Sequence, residues 1–521
     1  MKDLLTLGQS LSVHARLQPD RLGARDLERS LTFRDWNRRA CRLANALLGL
    51  GLAKGERVAV LAYNCLEWAE IYAAVAKAGL IAVPINFRLT AAECAFCITD
   101  AEASALIAQA DLQDVIEESR DLLSVPARNM ILFGGPCPAG WLDYEDLLSR
   151  ASDAEPDQHI SAFDPWTLMY TSGTTGNPKG VVRNHRNGAL LSLVTEIELG
   201  LGRRDDALLV MPMCHANSLY FFSSFAYCGA AVSIYSRRSF DPEHCLRALG
   251  ETCATFTSLV PTHYIMMLGL SAAERGTVPL ERVSKLMISS APARADTKRQ
   301  VMEMFPASGL FELYGSSEAG WVTMLHPDEQ FTHLGTVGRE CVGSAPIRLL
   351  DEHGAEVPDG EPGELFSSNP YTFEGYWKRP EKTAEAFRGD YCSVGDMALR
   401  TPDGFIKLID RKKNMIISGG ENVYPSEVEE VLGACPKVMD VAVIGLPDEK
   451  WGERVHGVVV LHAGAEATEA ELIDWCRARI AGFKRPRSIS IIAAAEMPRT
   501  ATGKVLHREL RARFGAEAPR A

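Results

Sequence analysis

The chain has 521 residues, 46% hydrophobic and 23% charged, with a formal net charge of −12. That length exceeds one ordinary core, so two or more domains are expected, with the composition of a soluble globular protein. The acidic balance excludes a general nucleic-acid binder, because no global positive field attracts phosphate. Thirteen cysteines, an odd number without framework spacing, point to a reducing cytoplasm.

Residues 1–17 lack a basic stretch followed by an apolar core, so no secretory signal is read. Apolar runs at 57–63 and 80–84 predict strands around a helix over 66–77, and runs at 106–108 and 130–133 continue the rhythm. Such alternation predicts an α/β fold with largely parallel sheets. Cys94 and Cys97 have CxxC spacing inside a predicted helix over 89–99. With no second pair and no nearby histidine, they read as ordinary semi-buried thiols rather than a redox or zinc site.

The alternation resumes at 165–169, 208–211, 231–235, 256–259 and 285–289. Residues 218–236 carry no charge, the mark of a membrane span. Their serines and Gly229 divide the stretch instead into a helix and a buried strand over 230–235. From 336 to 364, turns such as Asp351-Glu352-His353-Gly354 and Pro358-Asp359-Gly360 predict short strands in a β-barrel-like subdomain. A break follows near 410–414. Beyond it come a helix from Pro425, strands at 438–444 and 457–461, and a helix over 468–480 opened by the capping-box pair Thr468 and Glu471. A strand at 489–493 ends the pattern. The expected organisation is a large domain over 1–410, of stacked α/β sheets with the β-barrel-like part, and a small α/β domain over 411–521.

After the strand at 165–169 comes Thr171-Ser172-Gly173-Thr174-Thr175-Gly176-Asn177-Pro178-Lys179-Gly180. Its glycines allow close backbone approach, and successive N–H groups and hydroxyls can turn inward on anionic oxygens. Lys179 adds a fixed positive charge. The segment is not a Walker loop, which needs adjacent Gly-Lys followed by Ser or Thr. Further motifs follow in order: Met211-Pro212-Met213-Cys214-His215, Ser289-Ser290-Ala291-Pro292, and Glu312-Leu313-Tyr314-Gly315-Ser316-Ser317-Glu318. Then come Tyr391-Cys392-Ser393-Val394-Gly395-Asp396, Arg411-Lys412-Lys413, Ser418-Gly419-Gly420-Glu421 and Pro498-Arg499-Thr500-Ala501-Thr502-Gly503-Lys504. Taken singly, each has a bland reading: a satisfied core histidine, a turn, a solvated charge.

Taken together, from about residue 10 to the C-terminus, these motifs resemble the adenylate-forming superfamily: acyl-CoA synthetases, peptide-synthetase adenylation domains and luciferases. The resemblance implies a ligase that uses ATP and Mg²⁺ to convert a carboxylic acid to acyl-AMP. The acyl group then passes to coenzyme A, with release of AMP and pyrophosphate. It implies nucleotide contacts from Thr171, Ser172, Gly173, Thr174, Thr175, Gly176 and Lys179, and a border to the adenine from Ser290, Ala291 and Pro292. Tyr314 and Gly315 would face adenine, Ser317 a phosphate, and Glu318 the metal; Asp396 and Arg411 would hold the ribose. Lys504 is the implied catalytic lysine, and Lys413 the hinge of a mobile C-terminal domain. Gly419, Gly420, Glu421, Trp451, Phe483, Arg485 and Arg487 fit coenzyme A positions. His215 would line the acyl pocket near the reacting carboxylate, with Asn217, Ser218, Tyr220, Leu313, Gly315, Ser316 and Trp321.

The aromatic residues Tyr220, Phe221 and Trp321 point to an apolar acid, aliphatic or aromatic, of open chain length. Two other functions stay open on sequence. One is a stand-alone adenylating protein that loads a separate carrier protein. The other is a non-catalytic nucleotide-binding scaffold, against which the intact Lys179, Glu318, Asp396, Arg411 and Lys504 argue. No nucleic-acid partner or membrane span is expected. A homodimer, and a lysine acetyltransferase acting on Lys504, are partners the sequence leaves open.

Overall fold

The computed structural model describes residues 5–171, 178–275, 278–290, 293–418, 421–477, 479–499 and 505–516. The chain forms two compact units, Met1–Pro346 with Ser367–Cys392, and Ile347–Phe366 with Ser393–Ala521.

In the first unit, the expected alternation becomes two large sheets. The eight-stranded sheet runs, in spatial order, Gly375–Tyr376, Lys179–Asn184, Pro165–Thr171, Ile81–Ile85, Arg57–Leu61, Ala103–Gln109, Met130–Phe133 and Leu142–Asp143. The nine-stranded sheet runs Arg339–Glu340, Gly320–Leu325, Gly309–Ser316, Lys285–Ser289, Phe256–Leu259, Asp206–Leu209, Ala231–Ile234, Leu22–Arg25 and Ser30–Thr32. Their inner strands pair in parallel, and antiparallel hairpins close the ends that carry the candidate site.

Successive strand residues face opposite sides, so continuous apolar runs mean burial on both faces. Val58 and Val60 enter one core while Ala59 and Leu61 enter another. Leu209 joins the first core and Leu208 a third. The first core holds residues of both sheets together with Trp36, Trp68, Tyr72, Phe221 and Phe222 from the helices Phe33–Gly49, Glu67–Ala78 and Ala216–Cys228. Every residue of Glu67–Ala78 is buried, so this helix is core on all sides.

The uncharged stretch at 218–236 folds as expected, into the helix Ala216–Cys228 and the strand Ala231–Ile234. Gly229 joins them at φ +78°, and a Cβ there would lie 2.6 Å from the His14 ring. No helix among the described residues is long and apolar enough to cross a membrane. Cys94 and Cys97 lie buried on the helix Ala91–Asp100, and burial pushes both thiols up to about 12. Neither has the thiolate character that redox or metal chemistry needs.

The second unit contains a four-stranded antiparallel sheet, Arg348–Leu350, Gly363–Phe366, Asp396–Arg400 and Ile406–Arg411. It also contains the hairpin Val438–Asp448 and Gly452–Leu461, flanked by Ile416–Ser418 and Ser488–Ile491 and covered by the helix Pro425–Gly433. The hairpin runs past the expected end of its first strand because Gly445 pairs in register with Val455. The last strand ends at Ile491 rather than 493, because Glu496 caps a short turn by accepting from the Ala493 N–H at 2.9 Å.

His185 opens the helix His185–Leu199 and is 3% exposed, stacked on Trp166 at 6.0 Å. Burial lowers its pKa from 6.5 to about 4. The unfolded chain therefore takes up this proton first as pH falls from 6.5 towards 4, and stability drops through that window. Replacing His185 by Phe should remove about 2.5 kcal/mol of the loss in unfolding free energy between pH 7 and pH 4.5. Denaturant unfolding of both proteins at the two pH values checks this, and identical pH dependences would contradict it.

Candidate active site

The strands Pro165–Thr171 and Lys179–Asn184 form the antiparallel stem of the Ser/Thr/Gly loop, with Thr171 opposite Lys179. The Thr171 hydroxyl donates to the Lys179 carbonyl at 3.4 Å. Ser172, Gly173, Thr174, Thr175 and Gly176 lie outside the described residues. The Lys179 ammonium sits 3.9 Å from the centroid of the Tyr376 ring, and the Tyr376 hydroxyl donates to Glu318 Oε1 at 2.9 Å. The fold thus brings Lys179 and Glu318, far apart in sequence, onto one tyrosine.

Glu318 lies in the turn between the strands Gly309–Ser316 and Gly320–Leu325. That turn is fastened residue by residue. The Ser317 carbonyl accepts from Tyr220 Oη at 2.9 Å and from the Arg183 guanidinium at 2.8 Å. The Glu318 carbonyl accepts from Arg183 at 3.2 Å and from the Phe373 N–H at 2.8 Å. Ala319 donates its N–H to Ser316 Oγ at 2.9 Å, and its carbonyl accepts from Asn369 Nδ2 at 2.8 Å. Arg183 is 2% exposed and also reaches the Tyr371 carbonyl, with its guanidinium 4.8 Å from the Tyr220 ring centroid. A Cβ on Gly315 would lie 2.3 Å from the Gly320 carbonyl oxygen, so the hairpin closes only over glycine. Beneath the same strand, Lys298 pairs with Glu312, both buried, and burial raises the Glu312 carboxyl above its usual range.

His215 is the N-cap residue of the helix Ala216–Cys228. The loop before it is held by Asn64, which donates to Met211 O at 3.1 Å and accepts from Met213 N–H at 2.8 Å, and by Tyr72 Oη, which donates to Met213 O at 2.8 Å. Among the expected acyl-pocket residues, several polar tips are engaged within the fold. Ser218 donates to Met211 O at 2.6 Å, Tyr220 to Ser317 O, and the Trp321 indole to Thr195 Oγ1 at 2.8 Å. Tyr220 and Trp321 pack edge to face at 5.3 Å, and Leu313 belongs to the same core. Asn217 Nδ2 donates to Ser289 Oγ at 3.0 Å. Tyr314 continues the Leu313 strand opposite Thr323.

Ser290 has φ +70°, a left-handed conformation in which glycine is comfortable and serine costs about 1 kcal/mol. Ser290 thus holds a backbone conformation that a glycine would adopt without strain. Ala291 and Pro292 lie outside the described residues.

In the second unit, Asp396 and Arg411 are opposite residues of neighbouring strands, and Asp396 Oδ1 accepts from Arg411 Nε at 2.9 Å. The next residue, Lys412, donates its N–H to Gly395 O at 2.8 Å and pairs its ammonium with Glu364 at 2.8 Å. Lys413 is exposed, and its carbonyl and that of Asn414 accept from Arg511 at 3.4 and 3.1 Å. Trp451 carries the Arg487 guanidinium over its ring at 4.8 Å. Phe483 is exposed, Lys484 pairs with Glu427 at 2.7 Å, and Arg485 is half-buried. Glu421 is exposed and lies opposite Ser418 in an antiparallel strand pair. Gly419, Gly420 and Lys504 lie outside the described residues, while Arg499, within the lysine motif, and Val505, just after it, form an antiparallel bridge.

Sequence reading missed Arg183, Tyr376, Asn64, Tyr72 and Asn369. Two of them left a signal: Arg183 is a charge inside the strand Gly180-Val181-Val182-Arg183, and Tyr376 begins an aromatic pair after Gly375. The other three act through backbone contacts distant in sequence.

Residues 11–377 match the family model of the AMP-binding enzyme, and residues 427–504 match that of the AMP-binding enzyme C-terminal domain. A feruloyl-CoA synthase of Amycolatopsis sp is 35% identical, covering 96% of this chain and 97% of that protein. The long-chain-fatty-acid–CoA ligase FadD13 of Mycobacterium tuberculosis is 33% identical over 99% of each chain. Among solved structures, the anthranilate CoA ligase AuaEII in complex with anthranoyl-AMP superposes with a TM-score of 0.90 at 26% identity, over 99% of both chains. Matched by both models and by relatives across almost its whole length, the chain belongs to the AMP-binding enzyme family and is an AMP-forming acid–thiol ligase.

Proposed function

We propose that the enzyme joins an apolar carboxylic acid, aromatic or aliphatic, to coenzyme A at the expense of ATP. The observation that carries this reading is the convergence of the Lys179 ammonium and the Glu318 carboxylate on Tyr376, at the base of the Ser/Thr/Gly loop. A polyphosphate needs a cation for its oxygens and a carboxylate for its counter-ion. Among the described residues no group of three or more His, Cys, Asp or Glu could cage a metal. A lone carboxylate suits Mg²⁺, which completes its shell with phosphate oxygens and water. Bound there, the ion would neutralise phosphate charge.

In the first step a carboxylate oxygen of the acid attacks the α-phosphorus of ATP. The new P–O bond forms as the bond to pyrophosphate breaks, giving acyl-AMP. The acid is a weak nucleophile, so positioning and charge stabilisation dominate. Lys179 and the loop over 171–176 hold the phosphates, and Asp396 and Arg411 hold the ribose. Ser290, Tyr314, Gly315 and Ser317 frame the adenine and α-phosphate, and Lys504 supplies positive charge to the reacting oxygens. His215 lines the acyl pocket beside the carboxylate. The body over 411–521 then turns about Lys413, withdrawing Lys504 and bringing in Gly419, Gly420 and Glu421. The thiol of coenzyme A, carried along Trp451, Phe483, Arg485 and Arg487, loses its proton and attacks the acyl carbonyl, and AMP leaves. The polar tips of Ser218, Tyr220 and Trp321 are bonded within the fold, which favours an apolar acyl group. AMP release, measured with free coenzyme A across a panel of acids, tests the reading. Acid-dependent ATP–pyrophosphate exchange without thioester formation would overturn the choice of thiol.

Two variants separate the half-reactions. Lys504→Ala should lower pyrophosphate exchange by about 10²-fold or more while keeping thioester formation from synthetic acyl-AMP within a few-fold of wild type. Gly420→Leu should do the reverse, blocking thioester formation and sparing exchange. Equal loss of both half-reactions in either variant contradicts its assigned role. Acetylation of Lys504 would remove the same charge, so protein acetylated there should lose acyl-AMP formation and regain it after deacetylation.

A further inference from the structure

Tyr376 is 8% exposed and fixed on every side. It pairs with Val181 across the sheet, and its N–H donates to Thr383 Oγ1 at 2.9 Å. Phe373 packs edge-on to its ring at 5.0 Å. The two ends of the side chain then do opposite things. The ring face, where π-electron density is negative, receives the Lys179 ammonium at 3.9 Å. The phenolic O–H donates to the Glu318 carboxylate at 2.9 Å. A hydrogen bond given to an anion leaves the ring richer in electron density, which strengthens its hold on the cation.

We infer that Tyr376 is a positioning residue that couples the phosphate-loop lysine to the Glu318 carboxylate and sets both for the nucleotide and its metal. The inference rests on the proposed function, in which Lys179 meets phosphate and Glu318 meets the metal. No other side-chain type joins a cation-binding face to a hydroxyl donor at this length, so Phe and Leu each remove a defined part.

The test uses Tyr376→Phe and Tyr376→Leu in the full chain. ATP binding is measured calorimetrically with and without Mg²⁺, pyrophosphate exchange is measured against Mg²⁺ concentration, and the unfolding midpoint is recorded without ligand. Tyr376→Phe keeps the ring, so metal-free ATP affinity should stay within about twofold of wild type. Its Mg²⁺ requirement for half-maximal exchange should rise about tenfold, the worth of one charge-assisted hydrogen bond. Tyr376→Leu should in addition weaken metal-free ATP binding about three- to tenfold. In a Glu318→Gln background, Tyr376→Phe should raise the Mg²⁺ requirement no further, because the two changes remove one interaction. Wild-type ATP and Mg²⁺ dependences in the Phe variant would overturn the inference. So would a uniform fall in kcat with a lowered unfolding midpoint, since Tyr376 would then only support the fold. Failure of the parent reading looks different: Glu318→Gln would keep the wild-type Mg²⁺ requirement and Lys179→Met the wild-type ATP affinity, and the inference would fall with it.

Discussion

A buried positive charge fixes the geometry of this enzyme. Arg183 leaves the Ser/Thr/Gly loop on the strand Lys179–Asn184 and reaches under the turn that carries Glu318, where three main-chain carbonyls and one aromatic face receive it. A guanidinium taken out of water without such partners would be destabilising by several kcal/mol. The chain can therefore bury Arg183 only if the turn over 317–319 and the residue Tyr371 sit where they do. The planar fork matters too, because one guanidinium bonds several oxygens in fixed directions where an ammonium would act as a point charge. A slip of one residue in the strand would send Arg183 to the opposite face, so the register of the hairpin that stems the Ser/Thr/Gly loop and the position of Glu318 are set together.

Much of the fold could be read directly. The strands at 57–61, 81–85, 130–133, 256–259 and 285–289 are short apolar runs buried on both faces, and no other structure suits such runs between helices. Motif residues were legible because their chemistry is local: Thr171 and Lys179, or Asp396 and Arg411, take their relation from one pair of adjacent strands. What escaped was the support. Asn64 and Tyr72 hold the backbone before His215 from about 140 residues away, through hydrogen bonds to main-chain atoms that no side-chain pattern reveals. Ser290 shows the converse: a residue type that avoids the left-handed region sits there at φ +70°, which no reading of the side chains suggests.

In the second unit the pair proposed to hold the ribose and the proposed hinge are close together in the chain. Arg411 ends one strand against Asp396, Lys412 is tied to Gly395 and Glu364, and the exposed Lys413 follows at once. Asp410, just before them, accepts from the Ser426 N–H at 3.0 Å and from Asn414 at 3.3 Å, while burial raises its carboxyl above the usual range. The segment therefore changes within four residues from a strand with paired side chains to an exposed turn held through carbonyls. That is an arrangement in which a rotation at one residue leaves the Asp396–Arg411 pair undisturbed.

The left-handed residue Gly229 decides how an uncharged stretch of chain is divided. Residues 218–236 carry no charge over a length that could span a bilayer, although five of them are serine. The helix that forms there has 13 residues, about 20 Å, against the roughly 30 Å of a bilayer's hydrocarbon core. Gly229 turns the chain after that length and sends the remainder into a sheet, where its peptide groups find partners that lipid cannot offer. One residue without a side chain thus divides an uncharged segment into two elements of a core.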